Sequence, residues 1–340
     1  MVLTVDIGNS NIVVGVWDDS SLKFTGRIQT RRDYSEKELT ASLAEMLSSE
    51  HIHTNLHIAN VKDDHNEDAC IPASTFEGAI LSSVVPEITD KTLCALEKII
   101  GKRPLLMGPF LHTGVDISDY APGVIGMDRI VDLSAAIAMY GAPVMVCDLG
   151  TCTTITVAGN VGSEITTDID KYQENSAKDR SAAELNISSQ DRSGAKFAGK
   201  LIGGLICPGV QLSLDAEAMR ASQLPQLTAG NVDFLLGKDT ASNMLAGAVA
   251  GTGLMLSELA DRVMQGEMVC DEPDEAGTNS NLFGSAEQFQ NLKVVITGGL
   301  SEYVKPWIKC KAKVHYEQNL LLRGLYEIYF RNEHAASLTE

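Results

Sequence analysis

At 340 residues the chain exceeds the roughly 100–200 residues of an ordinary domain, so two lobes of similar size are expected. Its 44% hydrophobic and 21% charged content is that of a globular protein with a full core and excludes a largely disordered chain. Lys and Arg number 27 against 45 Asp and Glu, a formal net charge of −18. Nucleic acid and anionic membranes are therefore poor partners, a bound cation is favoured, and an anionic ligand would need backbone N–H groups or a metal ion to hold it.

The cysteines are seven in number and none forms a CxxC pair, which points away from a disulfide framework and from zinc. Cys147, Cys152 and Cys207 stand among small and apolar residues and read as buried hydrophobes. Asp6 interrupts the apolar N-terminal stretch a signal peptide would need, and no run of about 18 apolar residues occurs. A cytoplasmic protein is expected.

In chain order, residues 2–7 and 12–17 are rich in β-branched side chains and flank Gly8-Asn9-Ser10-Asn11, the pattern of a β-hairpin. Ser35 with Glu38 forms a capping box ahead of Leu39, Leu43, Met46 and Leu47 at helical spacing. Residues 79–85 read as a buried strand stopped by Pro86, followed by a helix ending at Gly101. A helix is expected from about Asp128 to Tyr140, closed by Gly141 and Pro143. Strands alternating with helices define an α/β protein.

Residues 144–157 repeat the N-terminus at an offset of 142: Val144 falls on Val2, Asp148 on Asp6, Leu149 on Ile7 and Gly150 on Gly8. A strand, an Asp-x-Gly turn and a second strand recurring together indicate an internal duplication. The expected lobes are 1–121 and 122–340, with Ser-rich 159–198 and acidic 266–290 as loop insertions in the second. Helices are expected at 212–219, 244–263 and 316–330, and a strand at 293–297.

Asp6-Ile7-Gly8-Asn9-Ser10-Asn11 at a hairpin tip offers backbone N–H groups to an anion where Gly8 carries no Cβ, and Asp6 can hold Mg²⁺. The plainer alternative is an Asn/Gly turn with a solvated Asp. Asp148-Leu149-Gly150-Thr151 repeats the arrangement with a Thr hydroxyl as donor, so a pair of such turns can clamp a polyphosphate. Neither a Walker A sequence nor a GxGxxG after the first strand is present. Gly298-Gly299 after the 293–297 strand suits either a structural turn or backbone laid against an adenine. Gly203-Gly204 and Pro208-Gly209 are expected to turn the chain, and Gly247, Gly251 and Gly253 imply close approach of a helix or ligand. Asp128 beside Arg129 can orient and deprotonate a hydroxyl while binding an acidic acceptor, or Asp128 can serve as a helix N-cap.

The two Asp-x-Gly hairpins resemble those of the acetate and sugar kinase/Hsc70/actin superfamily, an α/β architecture of two similar ribonuclease H-like lobes. Ser82-Ser83-Val84-Val85-Pro86, Pro122 to Arg129, Gly203 to Gly209 and Gly237-Lys238-Asp239-Thr240, in that order, are similar to type III pantothenate kinases. The resemblance covers most of residues 1–265 and resumes near 293. It implies ATP-dependent phosphorylation of pantothenate to 4'-phosphopantothenate, the first step of coenzyme A biosynthesis.

By the same resemblance Asp6, Ile7, Gly8, Asn9, Ser10, Asn11, Ile12 and Val13 hold the ATP phosphates with Thr151, and Asp6 holds Mg²⁺. Asp128 is the implied proton acceptor, and Gly126, Met127, Asp128, Arg129 and Thr240 are the implied pantothenate contacts, with Tyr120 a further one. Asp148 falls on the position of a monovalent cation, K⁺ or NH₄⁺, and a homodimer is implied. Ser10 stands where Thr is frequent, and 159–198 is longer than the family's short link. Competing readings are a non-catalytic ATP-binding regulator on the same fold and a kinase for another small hydroxy acid. The co-occurrence of Asp6, Asp128, Arg129 and Asp148 favours catalysis.

Overall fold

The computed structural model describes residues 1–48, 75–121, 123–161, 197–267 and 286–337. Most of both expected insertions, at 162–196 and 268–285, lies outside the described residues, as does Pro122. The chain forms two compact units, one of Met1–Thr113, Tyr120–Ala135 and Leu320–Glu340, the other of Gly114–Asp119 and Ala136–Asn319.

In the first unit β1 (Val2–Ile7) pairs antiparallel with β2 (Asn11–Asp18), Val2 opposite Trp17 and Ile7 opposite Ile12. Asp19 and Ser20, at φ 45° and 63°, make the tight left-handed turn into β3 (Ser21–Gln29). On the other side of β1, β4 (Gly78–Ser83) and β5 (Leu105–Leu106) add in parallel, giving the order β3-β2-β1-β4-β5. Strand alternation sends Leu3, Val5 and Ile7 into one core with Leu39 and Leu43 of helix Glu36–Met46 and Ile88, Leu93 and Leu96 of helix Pro86–Ile100. Val2 and Ile80 face the opposite way, against Leu322, Leu325 and Tyr326 of helix Leu320–Ser337 and Val131 of helix Met127–Tyr140.

The local signals act as expected. Ser35 and Glu38 exchange both capping-box bonds, Pro86 opens its helix, and that helix closes on Gly101 at φ 72°.

The second unit holds β6 (Val115–Asp116), β7 (Val144–Leu149), β8 (Cys152–Gly159), β9 (Gly199–Pro208), β10 (Lys293–Thr297) and β11 (Lys313–Tyr316). Its order β9-β8-β7-β10-β11 repeats that of the first sheet, with β6 added beyond β9. The first three strands are antiparallel neighbours and the last two add in parallel, again as in the first unit. The duplication inferred from the Asp-x-Gly turns is therefore a duplication of a whole ribonuclease H-like sheet.

Three local expectations are corrected. Gly203 and Gly204 lie inside β9, paired with Val157 and Thr156 at a register shift, because a long strand absorbs glycine at an irregularity without turning. The C-terminal helix begins at Leu320, since Tyr316 is held in β11 beside Ile296. Cys152 is exposed at the start of β8 while Cys147 is buried, because only Cys147 sits in the middle of a strand facing the core. Burial drives the Cys147 thiol pKa well up, which leaves it a core residue.

Candidate active site

The first Asp-x-Gly turn is built by its own backbone. Asp6 ends β1 half-buried, the Gly8 N–H donates to Asn11 O at 2.9 Å, and Asn9 and Ser10 are exposed at the tip. A Cβ on Gly8 would lie 3.3 Å from Asn11 O and 3.9 Å from Asp6 Oδ2, so glycine keeps open the space beside the carboxylate. The end of β3 braces this turn: the Thr30 N–H donates to Ser10 O at 3.0 Å and its hydroxyl to Gly8 O at 2.7 Å. Arg32 donates to Asn9 Oδ1 at 3.3 Å and pairs with Glu87. Thr30 and Arg32 escaped the sequence reading. Their only signal there is two arginines directly after a polar stretch, and the pairing of β3 with β2 is what brings them to the turn.

The Asp128 segment belongs to the same unit. Gly126 precedes helix Met127–Tyr140 and supplies the carbonyl that the Ile130 N–H reaches. Asp128 therefore stands within the first turn, beyond the cap position, and its Oδ1 accepts the Arg129 N–H at 2.9 Å. A carboxylate at a helix N-terminus is favoured by the exposed amide dipoles. Arg129 is half-buried; desolvation lowers its guanidinium pKa, opposed by the nearby charges of Asp128 and Tyr120. Tyr120, Asp128 and Arg129 are thus neighbours, and each is partly accessible.

The second turn carries Asp148 half-buried at the end of β7, with Thr151 exposed. Cβ atoms on Gly150 would come within 3.4 Å of Asp148 Oδ2. Gly298, which follows β10, lies against Asp148 and Leu149, and the Leu300 N–H donates to Leu149 O at 3.2 Å. Gly209 packs against Gly150 O and Thr151 O, so it sets the N-terminus of helix Val210–Arg220 beside this turn. Amides at a helix start and in a glycine turn together suit an anion. Thr240, exposed, opens helix Thr240–Leu245 behind Asp239, whose carboxylate is engaged as N-cap by the Ser242 N–H at 2.8 Å. That helix continues through a π turn at Ala246–Ala250 into Gly251–Met264, where Gly253 allows Trp307 to approach closely.

No group of three or more His, Cys, Asp or Glu side chains gathers among the described residues. A cation at Asp6 or Asp148 would then have one carboxylate with backbone, water and substrate oxygens as ligands, a donor set that suits Mg²⁺ and other hard cations rather than zinc. The space left at Gly8 and Gly150 beside each carboxylate fits that arrangement.

Two copies of one α/β sheet, each ending its first strand in an Asp-x-Gly turn, are the architecture of the two-lobed acetate and sugar kinase class. The family model for type III pantothenate kinase matches residues 2–163 and 196–262. The chain belongs to the type III pantothenate kinase family. Its relatives include type III pantothenate kinases of Geobacillus thermodenitrificans, 31% identical over 255 residues covering 74% of this chain and 76% of the relative, and of Brevibacillus brevis, 29% identical over 335 residues covering 98% and 100%. Among solved structures, it is similar to a ROK hexokinase from Thermus thermophilus, with a TM-score of 0.41 and 15% identity over 99% of each chain.

Proposed function

We propose that this chain transfers the γ-phosphoryl group of ATP to the primary hydroxyl of pantothenate, the first committed chemistry toward coenzyme A. The observation that carries the reading is that the family match spans both Asp-x-Gly turns and the Asp128-Arg129 segment in one chain. In this reading the backbone and side chains from Asp6 to Val13, with Thr151, hold the ATP phosphates. Asp6 is the residue that would hold Mg²⁺, which when bound offsets charge on the phosphate oxygens. Asp148 would hold K⁺ or NH₄⁺.

On the acceptor side Asp128 takes the hydroxyl proton at its carboxylate, and Arg129 pairs with the pantothenate carboxylate through its planar fork. Tyr120, Gly126, Met127 and Thr240 complete the acceptor contacts. The grouping of Tyr120 and Asp128 about Arg129 supports this assignment, because an acidic acceptor needs a cation beside the base that activates it. The bond formed is between the pantothenate oxygen and the γ-phosphorus, the bond broken is the bridging P–O of ATP, and ADP leaves with the charge.

A homodimer in the cytoplasm is part of the same reading. Apolar side chains exposed in the second unit support a partner surface: Ile206 is 65% and Leu236 82% exposed, and Leu235, Leu236 and Leu254 line one shallow cavity of about 290 Å³. No helix among the described residues is long and apolar enough to cross a membrane. The direct test is ADP release by the purified chain with Mg²⁺·ATP and K⁺, with and without pantothenate. Turnover that requires pantothenate and ignores other small hydroxy acids is expected; ATP hydrolysis indifferent to pantothenate would refute the assignment.

A further inference from the structure

Ser82 and Asp6 are direct partners in the parallel pairing of β4 with β1. Residues in register on adjacent strands lie on the same face about 4.8 Å apart, here the face covered by helix Leu320–Ser337, to which Val2 and Ile80 also point. Ser82 is fully buried, and its hydroxyl has no hydrogen-bond partner among the described residues. Its neighbours are satisfied differently. Ser83, on the opposite face, shares a hydrogen bond with Thr89 at 2.7 Å, and Thr4, two positions before Asp6, accepts from Trp17 Nε1 at 2.9 Å.

A buried hydroxyl without a partner is rare in native proteins and calls for a reason. Packing does not supply one, because alanine would fill the same strand position without burying a polar atom. A serine hydroxyl has a proton to donate. The acceptor on its own face and in its own register is the Asp6 carboxyl group, whose two oxygens have lone pairs enough for this bond in addition to others.

We propose that Ser82 is a positioning residue for the phosphoryl-transfer site, its hydroxyl donating to one Asp6 carboxylate oxygen and so presenting the other to Mg²⁺. The inference rests on the reading of Asp6 as the Mg²⁺ residue. Carboxylates that hold metals are themselves held by hydrogen bonds, and removing such a bond typically weakens metal binding about 10–100-fold. A serine on the neighbouring strand suits this task better than a loop residue, because the ladder fixes its distance from Asp6.

The experiment titrates Mn²⁺, followed by its electron paramagnetic resonance, into the full-length protein saturated with a non-hydrolysable ATP analogue. Wild type, Ser82→Ala, Ser82→Thr and Asp6→Asn are compared, and each is melted without metal. Ser82→Ala is expected to weaken Mn²⁺ about 10–100-fold while still melting in one cooperative transition close to the wild-type temperature, since one hydrogen bond is a small part of the stability of a packed strand. Ser82→Thr, which keeps the hydroxyl, is expected to restore most of the Mn²⁺ affinity. Wild-type Mn²⁺ affinity in Ser82→Ala, alongside its loss in Asp6→Asn, would overturn the role given to Ser82 and leave that of Asp6 intact. Wild-type affinity in Asp6→Asn would overturn the Asp6 reading itself.

Discussion

Gly298 is folded back against Asp148: at φ +92° its backbone lies so close that a Cβ would overlap Asp148 Oδ1 and come 2.5 Å from the Leu149 amide nitrogen. The turn after β10 thereby becomes part of the second Asp-x-Gly site, and the first glycine of the pair is required by that close approach. Gly298→Ala should lose at least about 1–3 kcal/mol, the cost of a strained backbone position, with further loss from displacing Asp148. Gly299, with nothing within 4 Å of its would-be Cβ, provides the internal control, and Gly299→Ala should change stability by less than about 0.5 kcal/mol. Urea unfolding midpoints of the two variants decide the matter; equal midpoints would show that the close approach is not needed.

Asp128→Asn separates a base from a helix-start residue. Asparagine retains the oxygen that accepts the Arg129 N–H, so the stability loss should be limited to the charge–dipole contribution of about 0.3–1 kcal/mol. Removal of a general base costs about 10²–10⁴-fold, and kcat with pantothenate should fall by that order while ATP titration is unchanged. A variant with wild-type kcat would show that the carboxylate serves only the helix.

Monovalent cation dependence tests the role given to Asp148. Rates should be higher in K⁺ or NH₄⁺ than in Na⁺, and Asp148→Ala should lose that discrimination. Identical rates in buffer freed of K⁺ and NH₄⁺ would remove the cation from the mechanism. The readout is the initial rate at saturating ATP and pantothenate.

Alkaline stability follows from Tyr140. Its phenol, desolvated and donating to the Glu317 carboxylate, has a pKa raised from 10.0 to about 12. A folded-state pKa above the unfolded one means that the native state holds its proton more tightly. The contribution is fully present below pH 10 and is lost progressively as pH rises to about 12. Tyr140→Phe should flatten the fall in stability between those pH values, as read from urea midpoints at pH 9 and pH 11. Buried Tyr329, also raised to about 12, keeps a residual slope in the variant. An unchanged pH slope in Tyr140→Phe would count against the pairing with Glu317.

What the sequence determined by itself is what depends on near neighbours. The Ser35–Glu38 box, Pro86 at a helix start, Gly101 at a helix end and the two Asp-x-Gly hairpins each involve residues a few positions apart, so their chemistry is written locally. Asp6, Asp128, Arg129 and Asp148 could be picked out as candidates for the same reason. The tertiary structure decided everything that depends on pairing over distance. β3 and β9 are half-exposed strands with weak alternation, and β9 carries Gly203 and Gly204, so only their partners β2 and β8 make them strands. Helix Leu320–Ser337 has an apolar stripe that identifies a helix but not the sheet it covers, and it packs on the first. The bracing of Gly8 by Thr30, the approach of Gly298 to Asp148 and the register of Ser82 with Asp6 join residues 22, 150 and 76 positions apart. Hydrogen bonds and close contacts across such separations are set by sheet order and packing, which no local pattern encodes.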